Sequence, residues 1–272
     1  MMHFHFDFSA AQILWTLTFA AELVLLVVLL GRDRVRRFPF FTAYIVIMAL
    51  LLLVGKLLFN RLAPLTASIF FLSLSAVATV VSLCVPIELA RRAFAGASKR
   101  AWTMGSAIVL VLAAAVLIFW GPWPAWSTFS GRSLLVVLRG VQMFADKGSV
   151  LYAFLDIEVA VAIVLLGRRF HGGWRSHPQM IAIGLSTAGL AQLAVRLIWQ
   201  LIATHTTIHS RAEYERVMTL RDRLYHANNV VFVCALIWWI TWLWLDEPGS
   251  PASAAEAEPT VPASAPLPPQ TC

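Results

Sequence analysis

Residues 10–30 read AAQILWTLTFAAELVLLVVLL, and this stretch decides the fold. Its length matches the roughly 20 apolar residues that a helix needs to cross a bilayer, and Glu22 is its one ionisable side chain. Residues 31–37, GRDRVRR, follow directly and place four arginines at the end of the run. An apolar run that ends in arginines is typical of a membrane helix whose arginines face the cytoplasm.

The composition shows that the rest of the chain follows the same pattern. Of the 272 residues, 60% are hydrophobic and 13% are charged, whereas a soluble domain usually carries about 25% charged residues. Seven apolar runs are each long enough for one crossing: residues 10–30, 41–59, 65–88, 101–123, 149–167, 179–203 and 228–245. The sequence therefore predicts an all-α, polytopic protein that lies in a lipid bilayer and forms a seven-helix transmembrane domain over residues 1–245.

The distribution of basic residues predicts the orientation. The loops after the first, third and fifth runs hold eleven of them: Arg32, Arg34, Arg36, Arg37, Arg91, Arg92, Lys99, Arg100, Arg168, Arg169 and Arg175. The other loops hold eight, most of them beside acidic residues or in longer loops. Because basic residues in short loops stay in the cytoplasm, we expect the N-terminus outside and the C-terminus in the cytoplasm. Four tryptophans in the last run are interpreted as interfacial anchors: Trp238, Trp239, Trp242 and Trp244.

The last segment and the net charge each bear on partners. Residues 246–272 are rich in Pro, Ala, Ser and Glu without apolar periodicity, which predicts a disordered cytoplasmic tail. The net charge of +7 would suit nucleic acid. However, the basic residues lie in short loops between apolar runs, so they are interpreted as orientation charges and no nucleic-acid partner is expected.

Six polar residues deep in the predicted spans are the main functional candidates: Glu22, Asp156, Glu158, Gln192, Arg196 and Gln200. Arg196 shares an i, i+4, i+8 stripe with Gln192 and Gln200, and such a stripe must face the bundle interior because lipid cannot satisfy it. Predicted depths are similar, so we expect Arg196 to pair with either Asp156 or Glu158. Two interpretations stay open: an outward-open cavity that holds a ligand or moves protons, and a buried network that fixes helix pairing.

Histidines form a second, weaker candidate. His3 and His5 precede the first run, and His205 and His209 have the spacing that places two imidazoles on one helical face. All four are predicted outside, where they would suit Zn or Cu; solvated interfacial histidines are the competing interpretation. The sequence contains no H-E-x-x-H, G-x-S-x-G or P-loop motif, and its cysteines lack zinc-site spacing. It therefore predicts no catalytic residues and no cofactor besides that candidate metal.

Three short segments resemble a family of uncharacterised bacterial seven-helix integral membrane proteins. They are RRFPFF at 36–41 followed by Tyr44, IEL at 87–89, and WRSH at 174–177 before IAIG at 181–184. The similarity spans about residues 36–190 and implies a seven-helix protein of the bacterial inner membrane, with no activity attached. The layout is also similar to the seven-helix sensor regions joined to bacterial histidine kinases, although here a tail stands in place of a kinase or other output domain.

These observations favour a sensor or receptor-like module with an outward-facing polar cavity, acting through a signalling partner in the membrane or cytoplasm. A small-molecule or proton-coupled transporter is the first alternative. The absence of a convincing internal repeat weighs against it, because many carriers are built from inverted repeats. An intramembrane enzyme is the second alternative, for which the histidines are the only candidate chemistry.

Overall fold

The computed structural model describes residues 9–58, 61–121, 123, 133–167, 176–206 and 210–246. These residues form eight helices and no strand: α1 Ala10–Gly31, α2 Arg34–Arg37, α3 Pro39–Leu58, α4 Pro64–Ala93, α5 Lys99–Phe119, α6 Leu134–Leu166, α7 His177–His205 and α8 Arg211–Trp244. All but the four-residue α2 are long and apolar enough to cross a membrane. This part of the chain confirms the prediction of an all-α, multi-pass membrane protein in contact with lipid.

Capping boxes begin the first and last long helices. Ser9 accepts a hydrogen bond from the Gln12 amide, and the Gln12 side chain accepts one from the Ser9 amide. Ser210 and Glu213 make the same reciprocal pair at the start of α8. Each box satisfies two amides that have no partner inside the helix, so serine followed by Gln or Glu three residues later sets both helix starts.

Two helices extend well beyond the predicted apolar runs. α6 begins at Leu134, about four turns before the run at 149–167, and α8 begins at Arg211, before the run at 228–245. The added turns carry polar residues on one face, which lowers their hydropathy without lowering their tendency to form a helix. Segments 134–147 and 212–225 are therefore continuations of membrane helices.

Six long helices form a ring that is crossed by a contact between α4 and α7, and the seventh lies outside it. Around the ring, α1 packs against α3, α3 against α4, α4 against α6, α6 against α7, α7 against α8, and α8 against α1. α5 packs against α6, and most of its surface is exposed. α1 and α6 therefore stand on opposite sides of the ring, which matters for the acids that they carry.

The helices begin and end at two opposite ends of the ring, which we call the Glu88 end and the Arg196 end after one residue at each. At the Glu88 end, α1, α4, α6 and α8 finish; at the Arg196 end, α3, α5 and α7 finish. Arg32, after α1, lies 3.5 Å from the carboxylate of Asp246 and 4.9 Å from the ring centroid of Trp244, so α1 and α8 run parallel. The indole of Trp15 donates to the carbonyl of Leu52 at 3.3 Å, so α1 and α3 run antiparallel.

Trp239 is the centre of the apolar core toward the Glu88 end. Its side chain is fully buried, meets Phe41 edge-on with ring centroids 5.2 Å apart, and donates from Nε1 to the Ile181 carbonyl at 3.2 Å. A Cβ at Gly184 would collide with its indole, so the glycine allows α7 and α8 to approach closely. The interpretation of the tryptophans as anchors is therefore wrong for Trp239, which is a core residue.

Glu88 joins α4 to the start of α3. Glu88 is 8% exposed, and its carboxylate accepts a hydrogen bond from the Phe41 amide at 3.1 Å. That amide lies in the first turn of α3, where amides lack a partner within the helix. Arg92 lies 4.0 Å from the other carboxylate oxygen and covers the ring of Phe38 at 5.1 Å. The RRFPFF and IEL segments thus meet as one capped helix junction.

Candidate functional site

A polar groove opens at the Arg196 end between α6, α7, α8 and the end of α5. Its volume is about 490 Å³. Its charged lining consists of Arg139, Asp146, Lys147 and Arg196, and its aromatic lining consists of Trp120, Trp199 and Tyr225. Three cations against one carboxylate leave an excess of two positive charges in the groove.

Helical spacing explains how α6 and α7 form this groove. From α6 come Arg139, Gln142 and Asp146, which recur every three or four residues and so share one face, and Lys147, which follows Asp146 at the edge of that face. From α7 come Arg196, Trp199 and Gln200. The polar face of α6 lies in the turns that precede its apolar run, so it is part of a membrane helix and not of a separate surface segment.

Arg196 contacts the beginning of α6. Its guanidinium donates to the Asp146 carbonyl at 3.0 Å, and the side chain is half-buried. The structure does not bring it to Asp156 or Glu158: no ion pair links it to either residue within the described ranges. Asp156 lies ten residues beyond Asp146, or about 15 Å along the helix axis.

Lys147 ties the end of α5 to the groove wall. Its ammonium donates to the Trp120 carbonyl and lies 4.6 Å from the ring centroid of Trp123. Gly121 follows at φ = 68°, a conformation that favours glycine. A Cβ there would also lie 3.1 Å from Nε2 of Gln200. The glycine thus lets the chain turn away from α5 while keeping the groove narrow.

A layer of packed side chains forms the floor of the groove. Val150, Ala153 and Leu193 are buried there. The Tyr152 hydroxyl donates to Gln192 at 3.2 Å and joins α6 to α7. Gln192 therefore lies beneath the groove and Gln200 lines it, so the predicted polar stripe of α7 does face the bundle.

Two acids are buried deeper in the ring. Glu22 is 0% exposed, and neither carboxylate oxygen has a hydrogen-bond partner among the described residues. Asp156 is 5% exposed, and its Oδ1 has no hydrogen-bond partner among the described residues. A third acid, Glu158, is half-buried, and its Oε2 also has none. Tyr44 of α3 is also buried. The six predicted site residues thus fall into a groove set and an interior set.

The histidine hypothesis falls mostly outside the described residues. His3, His5 and His209 lie outside them, and His205 is exposed at the end of α7. Within the described ranges, no three His, Cys, Asp or Glu side chains are grouped closely enough to hold a metal ion. The Zn or Cu site of the four histidines stays a prediction.

Sequence reasoning missed several residues of the site. Lys147 precedes the apolar run at 149–167, so hydropathy does not mark it as a site residue, and no sequence motif identifies the aromatic residues of the groove. Tyr44 and Tyr152 also gave no signal, because a lone tyrosine in an apolar run resembles a core residue. The spacing of Arg139, Gln142 and Asp146 is a signal in the sequence that indicates a shared polar face.

No protein-family model, no curated protein and no solved structure matches this chain. The fold and the site alone define its class: a multi-pass helical membrane protein with a cation-rich groove at one end of the bundle.

Proposed function

We propose that this chain is a receptor-like sensor module that binds a small anionic ligand in the polar groove. The observation that carries the proposal is the groove itself. Its volume of about 490 Å³ lies within the range of small-molecule sites. Arginine and lysine recognise carboxylates and phosphates through charge-assisted hydrogen bonds, and the aromatic walls suit an apolar or planar part of the same ligand.

The proposal places the groove on the outer face of a bacterial inner membrane. The support is the excess of basic residues in the short loops of the Glu88 end, together with the resemblance to bacterial seven-helix proteins. Reporter fusions after residues 98 and 172 should report cytoplasm, and a tag at residue 2 should be accessible from outside. A periplasmic signal at residue 98 would reverse the orientation and put the groove in the cytoplasm.

Signalling suits this arrangement because the polar groove opens at the Arg196 end. Below the groove floor, apolar side chains pack around the buried acids Glu22 and Asp156 and continue down to the Glu88 end. A ligand that draws α6 and α7 together would move helices that are tightly packed nearer the Glu88 end. For example, Gly184 of α7 packs closely against Trp239 there. A partner in the membrane or cytoplasm would read the change at the Glu88 end, in the manner of the histidine-kinase sensor regions that the layout resembles.

A carrier of small molecules or protons is the second candidate. The observation that favours it is the pair of buried acids, Glu22 and Asp156, which a receptor does not need. Uptake of the groove ligand into sealed vesicles that contain the purified chain would favour a carrier, whereas binding without uptake would favour a sensor.

Ligand class is tested by binding to the purified chain in detergent. Inorganic phosphate, succinate and benzoate serve as anionic probes, and trimethylammonium serves as the cationic control. We expect at least one anion to raise the unfolding temperature and the cation to have no effect. Arg139→Gln and Arg196→Gln should each weaken anion binding about tenfold, the equivalent of about 1.4 kcal/mol.

The matched control is Arg216→Gln, which removes an exposed arginine of α8 that does not line the groove. It should leave anion binding unchanged. If it weakens binding as much as Arg196→Gln does, the effect reflects net charge and the groove is not the site. If none of the three anions binds, the proposal of an anionic ligand is wrong.

A further inference from the structure

The two buried acids lie at the same depth. Glu22 stands nine residues before the end of α1 at Gly31, and Asp156 stands ten residues before the end of α6 at Leu166. At about 1.5 Å per residue, they lie about 14 and 15 Å from the Glu88 end. α1 and α6 are not neighbours in the ring, so the two acids are buried at about one level on separate helices.

The hydrogen bonding of these two acids differs from that of Glu88. The described residues offer no hydrogen bond to either oxygen of Glu22 or to Oδ1 of Asp156. An ionised carboxylate without a partner is very costly in an apolar interior. Buried polar groups in native proteins nearly always have partners, so this pair requires a positively charged partner that the fold itself does not supply.

A proton fits this requirement better than a metal ion does. Ca²⁺ or Mg²⁺ needs six or more oxygen ligands around one point. The two acids are on opposite helices, and no cluster of three or more acids, histidines or cysteines is found in the described part of the chain. A proton needs only one carboxylate oxygen, so each acid can hold its own.

No cation at this level replaces the proton. The arginines and lysines of α4 and α5 are at the Glu88 end: Arg91, Arg92, Lys99 and Arg100. On α3, Lys56 is exposed near the opposite end, and Arg196 of α7 is bound to Asp146. The helix ends hold further titratable groups: Arg34, Arg36 and Arg37 of α2 at the Glu88 end, and, at the Arg196 end, Arg139, Asp146 and Lys147 of α6, His205 of α7, and Arg211, Glu213, Tyr214, Glu215, Arg216, Arg221, Asp222, Arg223, Tyr225 and His226 of α8. The other titratable groups of the packed helices are Glu158, Cys84, Glu88, His177 and the exposed Cys234, together with Tyr44 and Tyr152.

A polar side chain, Tyr152, lies on the Arg196 side of the pair. It is one helical turn before Asp156 and donates to Gln192 beneath the groove. Toward the Glu88 end, the interior is filled instead by fully buried apolar side chains, namely Leu25, Leu29, Phe41 and Ile45.

We infer that Glu22 and Asp156 are a proton-binding pair inside the ring, open to proton exchange from the Arg196 end. This site is separate from the groove and goes beyond the anionic ligand proposed for it. The inference of a proton-binding pair holds even if no anion binds in the groove. It is wrong if the two acids prove to be ionised, and that result would leave the groove proposal untouched. The two acids then take up and release protons.

Dicyclohexylcarbodiimide tests the protonated state directly. A protonated carboxyl adds across the carbodiimide C=N bond, and the acyl group then migrates to nitrogen, giving a stable N-acylurea that contains every atom of both reactants. Peptide mass spectrometry of the full chain should find this adduct at Glu22 and Asp156, with less adduct at alkaline pH. The exposed Glu215 should stay unlabelled.

Two variants sharpen the labelling experiment. Glu22→Gln should lose the adduct at residue 22 and keep it at residue 156, and Asp156→Asn should do the reverse. No adduct at either acid of the parent chain at acidic pH, or labelling that does not change with pH, would overturn the inference. Because the parent chain alone decides this result, a variant that fails to fold does not affect it.

Unfolding temperature gives an independent readout. Gln and Asn are neutral and have the shape of the protonated acids, so the Glu22→Gln, Asp156→Asn double variant should match the parent at acidic pH. The parent should lose stability at alkaline pH, because the acids then ionise on unfolding, and the double variant should lose less. An unchanged pH dependence in a folded double variant would contradict a shared proton-binding role.

The side of access is tested in sealed vesicles of known orientation. Alkaline pH on the Arg196 side alone should reduce carbodiimide labelling of both acids. If labelling responds only to pH on the Glu88 side, the proposed direction of access is wrong.

Discussion

Glu88 and Glu22 are both buried glutamates on membrane helices, and they differ in what surrounds them. Glu88 accepts a hydrogen bond from Phe41 at 3.1 Å and lies 4.0 Å from Arg92. Glu22 is more deeply buried and has no hydrogen-bond partner among the described residues. Burial alone therefore does not reveal the role of an acid. A partnered acid holds helices together, and an unpartnered acid marks a place where something else binds.

The same difference separates the two ends of the bundle. At the Glu88 end, aromatic side chains fill the space between helices and Trp239 is fully buried. At the Arg196 end, the helices leave a groove of about 490 Å³ with cations on its walls. One end has the packing of a scaffold and the other has the shape of a binding site, so substitutions should affect stability at the first more than at the second.

The largest effect is expected for Trp239→Ala. Removing a fully buried tryptophan leaves a cavity against Phe41 and Gly184, and such changes cost about 3–5 kcal/mol. The matched control is Trp244→Ala, since that indole is 55% exposed. Unfolding of both variants in detergent measures the difference. Equal losses would mean that the Glu88 end is not the packed scaffold described above.

The next largest effect is expected for Glu88→Ala. The change leaves the Phe41 amide without its acceptor, and loss of a hydrogen bond to a charged group costs about 1.5–3 kcal/mol. Glu215→Ala is the control, because Glu215 pairs with Arg211 on the exposed surface, where such pairs contribute little. If Glu88→Ala is as stable as Glu215→Ala, the cap at the start of α3 is unimportant and the contrast with Glu22 loses its basis.

The sequence predicts more of the fold than of the candidate site. Seven helices follow from hydropathy, because a chain in lipid must satisfy its backbone within each segment. Hydropathy does not report where a helix begins when its first turns are amphipathic, so the run at 149–167 missed the start of α6 at Leu134. The depth of Asp156 was counted from that later start, which led to the prediction that Arg196 pairs with Asp156 or Glu158. The rotation of each helix, which decides that Trp239 faces the core, depends on tertiary packing that one sequence does not reveal.

A smaller effect is expected for Tyr152→Phe. The change removes the hydroxyl that donates to Gln192 at 3.2 Å, and a single neutral hydrogen bond contributes about 1 kcal/mol. Tyr214→Phe is the control, since that tyrosine is 49% exposed in the first turns of α8. The two variants are compared by thermal unfolding. A loss of stability as large as that of Trp239→Ala would mean that the side chains beneath the groove stabilise the fold as strongly as the core at the Glu88 end does.

The smallest effect is expected for the coupling between Arg196 and the interior acids. Arg196 donates to the backbone carbonyl of Asp146, a contact that a change at residue 156 does not touch. The ten residues from 146 to 156 correspond to about 15 Å of helix, and substitutions so far apart usually add to within about 0.5 kcal/mol.

Arg196→Leu therefore loses the same stability with or without Asp156→Asn, and Glu158→Gln gives no rescue either. A double-mutant cycle in detergent measures both couplings. A rescue above about 1 kcal/mol by either acid variant would exceed that additivity and would show that Arg196 reaches down to pair with the interior. The two sets of polar residues would then be one network, and the separation of groove from proton-binding pair would fail.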